Sequence, residues 1–461
     1  MNNQNKINKI LWVALFAYSF LNIALLLYVD SGKHLTEGAD AGTWYNPAIA
    51  LLKYGSFVTL NSPEILMTYR GPLYPIYEAM MLWISNGEML SIIVGQIAML
   101  WITGVFVGRI VELFLPTYRN AAILLIVFNP NALAIAHLIQ SDTMYAMFIV
   151  FSMWSLSKYM VSNNKLKWIL ITSIFLGASC LIRPTAQYII LLLPMILFII
   201  NTFYRYKNAL MKSFVHGLIG IITSILVILP WVLHNEKAGW GYVLVTPQIK
   251  TVYLRDNVVW AEKKFHNISM DDAFDNILKS QEAYVRYRGE AWKNLNEEEK
   301  FSELVEFYWE KFISYPAYVL LAAYIDSWID FFGGGGSVNF HNLLSIETVK
   351  TIELNKTGVY SSRLDAIFES LSNAPMQVVL ISSLSYLYVI ALRVLGLLGI
   401  LEMIKRKRYS LLFVIIGLIV YFAMTALFVG NSRYRLPVEA AFVILALYGA
   451  SFVKNIKKQK T

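Results

Sequence analysis

DAGTWYNPAIALLKYGSFVTLNSPEILMTYRGPLYP, residues 40–75, is the stretch around which the chain is organised. It follows ILWVALFAYSFLNIALLLYV, residues 10–29, an apolar run without a charged side chain and of the ~20-residue length that a helix needs to cross a bilayer. That run is long enough to span and no small-residue cleavage site follows it, so it reads as a retained first helix rather than a signal peptide. Residues 40–75 are not apolar enough to cross. They carry a lone early carboxylate (Asp40), several Tyr and Trp side chains, and one arginine in a proline-rich setting, Tyr69-Arg70-Gly71-Pro72-Leu73-Tyr74-Pro75. A polar, aromatic loop at the far end of a first membrane helix is where chemistry is expected. Within it, Asn46-Pro47 predicts a helix start and Tyr54-Gly55 its end, which would lay residues 47–54 along the surface.

Composition sets the class. Of 461 residues, 57% are hydrophobic and 15% charged, whereas soluble domains carry about 25% charged residues. The reading is an all-α polytopic membrane protein. The net charge of +9 comes from Lys and Arg gathered in short loops between apolar runs, which is the membrane-orientation pattern, so no nucleic-acid partner is expected. The single cysteine, Cys180, excludes a disulfide within the chain.

Apolar runs predict about ten transmembrane helices, at residues 10–29, 89–108, 121–139, 143–157, 168–182, 185–204, 213–233, 376–404, 411–430 and 436–453. Asn129-Pro130-Asn131 predicts a kink in the third. A polar region opens at His234 and is too long for a connecting loop. In it, Ser269-Met270-Asp271-Asp272 and Leu295-Asn296-Glu297-Glu298-Glu299 each open a helical pattern, so a small, mainly helical subdomain is expected. Residues 315–332 are apolar but contain Asp326 and Asp330. If they do not cross, the Lys405 to Arg408 block and the basic tail share the N-terminal side with the Arg109/Arg119, Lys158/Lys165/Lys167 and Arg205/Lys207/Lys212 loops. The expectation is therefore that 315–332 lies in the interface or dips in and returns, with both termini cytoplasmic. The organisation read this way is an N-terminal membrane module (1–233) with its first outer loop (30–88), an extracytoplasmic or interfacial region (234–375), and C-terminal membrane helices (376–461).

This topology gathers Asp40, Arg70, His137, Asp142, Arg183, His234, Arg433 and Arg435 on one face. Asp40 is ionised at neutral pH and could take a proton from a hydroxyl, bind a cation, or simply be a loop aspartate. Asp142, in Gln140-Ser141-Asp142-Thr143, could cap the fourth span or serve a site. Arginines on the side opposite the basic loops could snorkel to the interface, or hold an anionic group with the guanidinium fork. Arg393, inside its span, has Glu439 and Glu402 as candidate partners. The six histidines show no ligand spacing, and Gly333 to Gly336 is not a P-loop because no Lys-Ser/Thr follows. No cofactor is assigned, although two acids facing one site would be compatible with a divalent metal.

Taken in order, these pieces resemble the GT-C membrane glycosyltransferases, closest to the polyprenyl-phosphate-sugar users: the protein O-mannosyltransferases and the bacterial lipid A aminoarabinose transferases. The matching pieces are Asp40 with Tyr45, Ala48, Leu51 and Gly55; Tyr69-Arg70-Gly71-Pro72-Leu73-Tyr74-Pro75; Gln140-Ser141-Asp142-Thr143-Met144-Tyr145; Leu181-Ile182-Arg183-Pro184; Leu229-Pro230-Trp231; and Arg433-Tyr434-Arg435-Leu436-Pro437. One departure is Asp40-Ala41 where the protein mannosyltransferases show an Asp-Glu pair; the nearest acid is Glu37. The resemblance implies a GT-C-like helical bundle and an inverting transfer of a sugar from a polyprenyl-phosphate donor to a hydroxyl on a lipid, glycan or protein. It implies Asp40 as base, Asp142 as its assistant, and Tyr69, Arg70, Arg183, Arg433 and Arg435 around the lipid phosphate. The setting would be the outer face of a membrane, and the Lys/Asn/Ile-rich composition points to a bacterial plasma membrane. Two rival classes are a lipid-linked sugar flippase or transporter, and a non-catalytic assembly protein that keeps the fold.

Overall fold

The computed structural model describes residues 2–28, 41–162, 165–204, 208–344 and 375–460. Asp40, Glu37, Arg205 and Lys207 lie outside the described residues. The described residues are almost wholly helical. It begins with α1 (Asn2–Tyr28), α2 (Ala41–Tyr54), a small hairpin of β1 (Val58–Thr59) and β2 (Ser62–Leu66), and α3 (Leu73–Ile84). A run of membrane-type helices follows: α4 (Leu90–Phe114), α5 (Arg119–Val127), α6 (Pro130–Ala136), α7 (Asp142–Val161), α8 (Lys165–Cys180), α9 (Gln187–Phe203) and α10 (Ala209–Lys237). A second group comprises α11 (Pro247–His266), α12 (Met270–Lys293), α13 (Glu297–Ser314), α14 (Ala317–Gly333) and α15 (Ser337–Leu343). The last helices are α16 (Met376–Lys405), α17 (Tyr409–Thr425) and α18 (Glu439–Lys460).

This is an all-α polytopic membrane protein. Among the described residues, seven helices are long and apolar enough to cross a bilayer, and two sharply bent pairs bring the number to nine. The ten runs expected from sequence all fall on helices, but α8, α9 and α17 have only 16, 17 and 17 residues. The third run is the bent pair of α5 and α6, which meet at 53°. The break has a local cause. Pro130 has no N–H to continue α5, and the Asn129 side chain accepts from the Ala132 amide at 3.1 Å, starting a new helix.

Two apolar cores form. The larger runs through α3 to α9 and the last two helices, and α18 is buried almost all round at its first half. α16 and α18 interlock most closely. A Cβ on Gly399 would overlap the Leu445 carbonyl, and one on Gly449 would overlap the Leu395 carbonyl. Small residues are what allow two membrane helices to approach this far. The smaller core joins α11 to α14 around Val258, Val259, Ile277, Leu304 and Tyr308. Its helices start where the sequence indicates: Ser269 caps α12, and Asn296 with Glu299 closes a capping box on α13.

One joint ties the smaller core to the bundle. Helix α14 ends with carbonyls that no helical turn can satisfy. Arg435 donates to the Phe331 carbonyl at 2.5 Å and to the Gly334 carbonyl at 2.8 Å, while Arg393 donates to the Phe332 carbonyl at 3.1 Å. Positive charge at a helix C-terminus is favourable in itself. Halfway along α14, Ser327 donates to the Leu427 carbonyl and accepts from the Gly430 amide. The pairing expected for Arg393 is therefore corrected: Glu439 pairs with Arg435, Glu402 pairs with Arg406, and Arg393 lies 3.3 Å from the centroid of the Phe442 ring. Asp326 of the same helix pairs with Lys264 at 2.7 Å.

Replacement of Gly399 by Leu drives a side chain into the backbone of α18. The expected outcome is a loss of at least about 1–3 kcal/mol, the usual cost of overpacking, read as a lower melting temperature of the purified protein in detergent. An unchanged melting temperature would show that the two helices can separate at no cost.

Candidate functional site

Asp142 is the first residue of α7, and its side chain is only 2% exposed. Its Oδ2 accepts from Arg183 at 2.7 Å and from Arg433 at 2.8 Å. Arg183 sits in extended backbone between α8 and α9, and its Nε also donates to Ser141 Oγ at 3.0 Å. Arg433 lies in the turn between α17 and α18, where Asn431 Oδ1 accepts from the Arg433 amide at 2.9 Å, the local bond by which Asn shapes a turn. One carboxylate thus gathers two guanidinium groups from stretches far apart in the chain. Without it, two like charges side by side would repel.

The Tyr69-Arg70 segment lies against the same region. The Leu73 amide donates to the Leu181 carbonyl at 3.2 Å, and a Cβ on Gly71 would overlap that carbonyl, so only glycine lets this loop lie on the approach to Arg183. Arg70 Nε donates to Thr43 Oγ1 at 3.0 Å, and its guanidinium lies 4.5 Å from the Trp44 ring and 4.8 Å from the Tyr69 ring. Tyr69, Thr43, Asn46 and Val58 line an open hollow of about 210 Å³ between α2 and the hairpin. His234, stacked on Trp231, bonds through Nε2 to the Met67 carbonyl at 2.9 Å and so pins the hairpin to the end of α10.

The structure therefore brings Asp142, Arg183 and Arg433 together, and sets Arg70 and Tyr69 on the adjoining loop. It sends Arg435 elsewhere. That guanidinium is fully buried, paired with Glu439 and bonded to the α14 carbonyls. His137 is buried, with Nδ1 against the Leu133 carbonyl at 2.8 Å. Asp40 lies outside the described residues, immediately before α2. That helix is already formed at Ala41, six residues before Pro47, because Ala41, Trp44 and Ala48 form one buried face and packing outweighs the proline. Among the described residues, no three His, Cys, Asp or Glu side chains gather at a spacing that could hold a metal.

An apolar groove of about 160 Å³ runs between α7, α8 and α9 on one side and α17 on the other. Its upper end is Tyr421, whose hydroxyl donates to the Thr185 carbonyl. Thr185 Oγ1 in turn shares a hydrogen bond of 2.8 Å with the Tyr145 hydroxyl. Thr185 is two residues from Arg183 and Tyr145 three from Asp142, so the Tyr421 end of the groove is bonded to the segments that carry those two residues.

Glu78 is the residue that sequence reasoning missed. Tyr74, Tyr77, Glu78 and Leu82 share the buried face of α3, so a lone acid on an apolar helical stripe was the available signal. Neither carboxyl oxygen meets a hydrogen-bond partner among the described residues, and the neighbouring Tyr74 hydroxyl donates instead to Gln96 Oε1 at 2.9 Å. Burial holds the Glu78 carboxyl well above the usual carboxylate range.

The class is a polytopic membrane protein in which a buried carboxylate holds two arginines, with an apolar groove of about 160 Å³ among the neighbouring helices. Residues 69–234, little more than a third of the chain, match the family model described as dolichyl-phosphate-mannose-protein mannosyltransferase. The matched segment contains Arg70, Asp142 and Arg183, and it supports a GT-C superfamily membrane glycosyltransferase that uses a lipid-linked sugar donor. No curated protein and no solved structure matches the chain.

The raised Glu78 value has a signed consequence. Its folded-state value lies above the unfolded ~4.3, so its contribution to stability is full below that pH and is lost as pH rises towards the folded value. Replacement of Glu78 by Gln should raise the melting temperature relative to wild type, by more at pH 8 than at pH 5, up to a limit of about 1.4 kcal/mol per pH unit. Parallel pH profiles for the two proteins would mean that Glu78 is stably ionised in place.

Proposed function

We propose that the protein is an inverting glycosyltransferase that moves a sugar from a polyprenyl-phosphate donor to a hydroxyl acceptor at the outer face of a bacterial plasma membrane. The observation that carries this reading is the convergence of Arg183 and Arg433 on Asp142, with an apolar groove among the neighbouring helices. Guanidinium forks suit phosphate oxygens, and an apolar channel suits the chain attached to that phosphate. A donor of this kind brings its own leaving group, so the reaction needs no nucleotide.

In the proposed step, the acceptor oxygen attacks the anomeric carbon and the bond from that carbon to the phosphate oxygen breaks. The lipid phosphate leaves with the electron pair, and the acceptor proton passes to the Asp40 carboxylate. Arg183 and Arg433 stabilise the charge that grows on the departing phosphate, with Arg70 beside them. Asp142 orients both arginines and is better suited to that task than to proton transfer, because Oδ2 accepts from both. Arg435 holds α14 against the turn that carries Arg433. The basic end of α7 supports the site depth: Lys158 follows Asp142 by sixteen residues, about 24 Å along the axis. With Lys158 at the inner surface, Asp142 falls within the outer leaflet of a hydrocarbon core about 30 Å thick.

The test is incubation of the purified protein with a panel of polyprenyl-phosphate sugars, reading sugar transfer and release of the lipid phosphate. One donor should be consumed by wild type, and Arg183→Ala, Arg433→Ala and Asp40→Asn should each lower turnover by about 10²-fold or more. Undiminished turnover in Asp40→Asn would remove Asp40 as the base. Undiminished turnover in both arginine variants would remove the phosphate site.

A further inference from the structure

Side chains hold the backbone of the turn that carries Arg433. The Gly430 amide donates to Ser327 Oγ of α14, and the Arg433 amide donates to Asn431 Oδ1 within the turn itself. The Ser432 carbonyl accepts from Asn131 Nδ2 at 2.7 Å. This last bond comes from the stretch of chain that leads into Asp142. Asn131 lies in the first turn of α6, where the break at Asn129-Pro130 sets it, and α7 opens at Asp142 shortly after α6 ends. Asn131 is 1% exposed. Its amide has one usable orientation, because a carbonyl can only accept. Nδ2 must face Ser432, which leaves Oδ1 to accept from Asn339 Nδ2 of α15 at 2.9 Å. Gly336 packs over the same side chain. It adopts a φ of +76°, which glycine takes without strain, and a Cβ there would overlap Asn131 Oδ1. One buried amide therefore joins the start of α6, the segment after α14 and the turn between α17 and α18.

We propose that Asn131 is a positioning residue for the transfer: by holding the Ser432 carbonyl it fixes the backbone from which Arg433 reaches Asp142 and the departing phosphate. This rests on the role proposed above for Arg433 at that phosphate. The bond to Asp142 does not by itself set where the guanidinium points, since a long side chain can keep one hydrogen bond while its other nitrogens swing. A held backbone removes that freedom, and Asn131 supplies the hold from the same stretch of chain that carries the carboxylate.

Two variants separate positioning from structure. Asn131→Leu fills nearly the same space and makes neither bond, whereas Asn339→Leu removes only the bond from α15. Both should lower the melting temperature. Only Asn131→Leu should lower kcat, by about tenfold or more, with the donor KM within about twofold of wild type, because Arg433 meets its full charge only as the phosphate leaves. In an Arg433→Ala background, Asn131→Leu should change kcat by less than about twofold, since the group that it positions is gone. A further arm needs no turnover. A sugar-free polyprenyl phosphate carries the charge of the departing group, and it should bind Asn131→Leu and Arg433→Ala about tenfold or more weaker than wild type. Should Asn131→Leu not fold, Asn131→Asp assayed at high pH takes its place, because the ionised carboxylate keeps the shape and has no proton for Ser432. Wild-type kcat in Asn131→Leu, an equal fall in kcat in Asn339→Leu, or full additivity with Arg433→Ala would overturn the positioning role and leave the donor reading standing. A wild-type protein that neither turns over a lipid-phosphate sugar nor binds the lipid phosphate would overturn the donor reading, and the task of Asn131 with it.

Discussion

The carboxylate of Asp142 is the fixed point on which the site depends. It gathers two guanidinium groups that would otherwise push apart, and it does so from the first turn of a buried helix, where the backbone cannot easily shift. Three connections are tied by it: the start of α7, the turn from α8 to α9, and the turn from α17 to α18. Each turn is short and irregular, and none would hold an arginine in one place without a partner. Charged groups in a low-dielectric setting are costly unless paired, so the ion pairs are also the reason these irregular segments settle in one arrangement.

Arg433 and Arg435 show how closely spaced residues acquire separate tasks. They stand two residues apart in Arg433-Tyr434-Arg435, yet the turn sends one side chain to Asp142 and the other to Glu439 and the end of α14. Arg435 is fully buried, and a buried ion pair alone would barely recover its desolvation cost. The two carbonyls at the end of α14 supply the further hydrogen bonds that make the arrangement favourable. The same turn therefore carries a site residue and the clasp that joins the smaller helical core to the bundle. The groove belongs to this system as well, because the Tyr421 hydroxyl meets the chain at Thr185, just past Arg183.

Much of the fold was legible in the sequence because it depends on local patterns. Apolar runs of bilayer length locate the membrane helices, Asn129-Pro130 marks the break between α5 and α6, and Ser269 and Asn296 mark helix starts that the structure keeps. The early start of α2 was not legible, since it depends on Ala41, Trp44 and Ala48 packing against other elements rather than on any capping signal. The hairpin was missed because its strands are two and five residues long, too short for a periodic pattern. Glu78 was passed over because a single acid on an apolar face is given its meaning by what surrounds it.

The sequence by itself determined that this chain is a bundle of membrane helices, and it named the acids and arginines from which a site could be built. Hydropathy and helix periodicity are properties of neighbouring residues, so they survive without knowledge of the fold. Only the tertiary structure decided that Arg183 and Arg433 share Asp142, that Arg435 and Arg393 turn to the α14 carbonyls, and that Tyr421 at the end of an apolar groove is bonded to Thr185. A charge takes the partner that packing brings within a few ångströms, and that distance is set by how helices cross, not by their order along the chain.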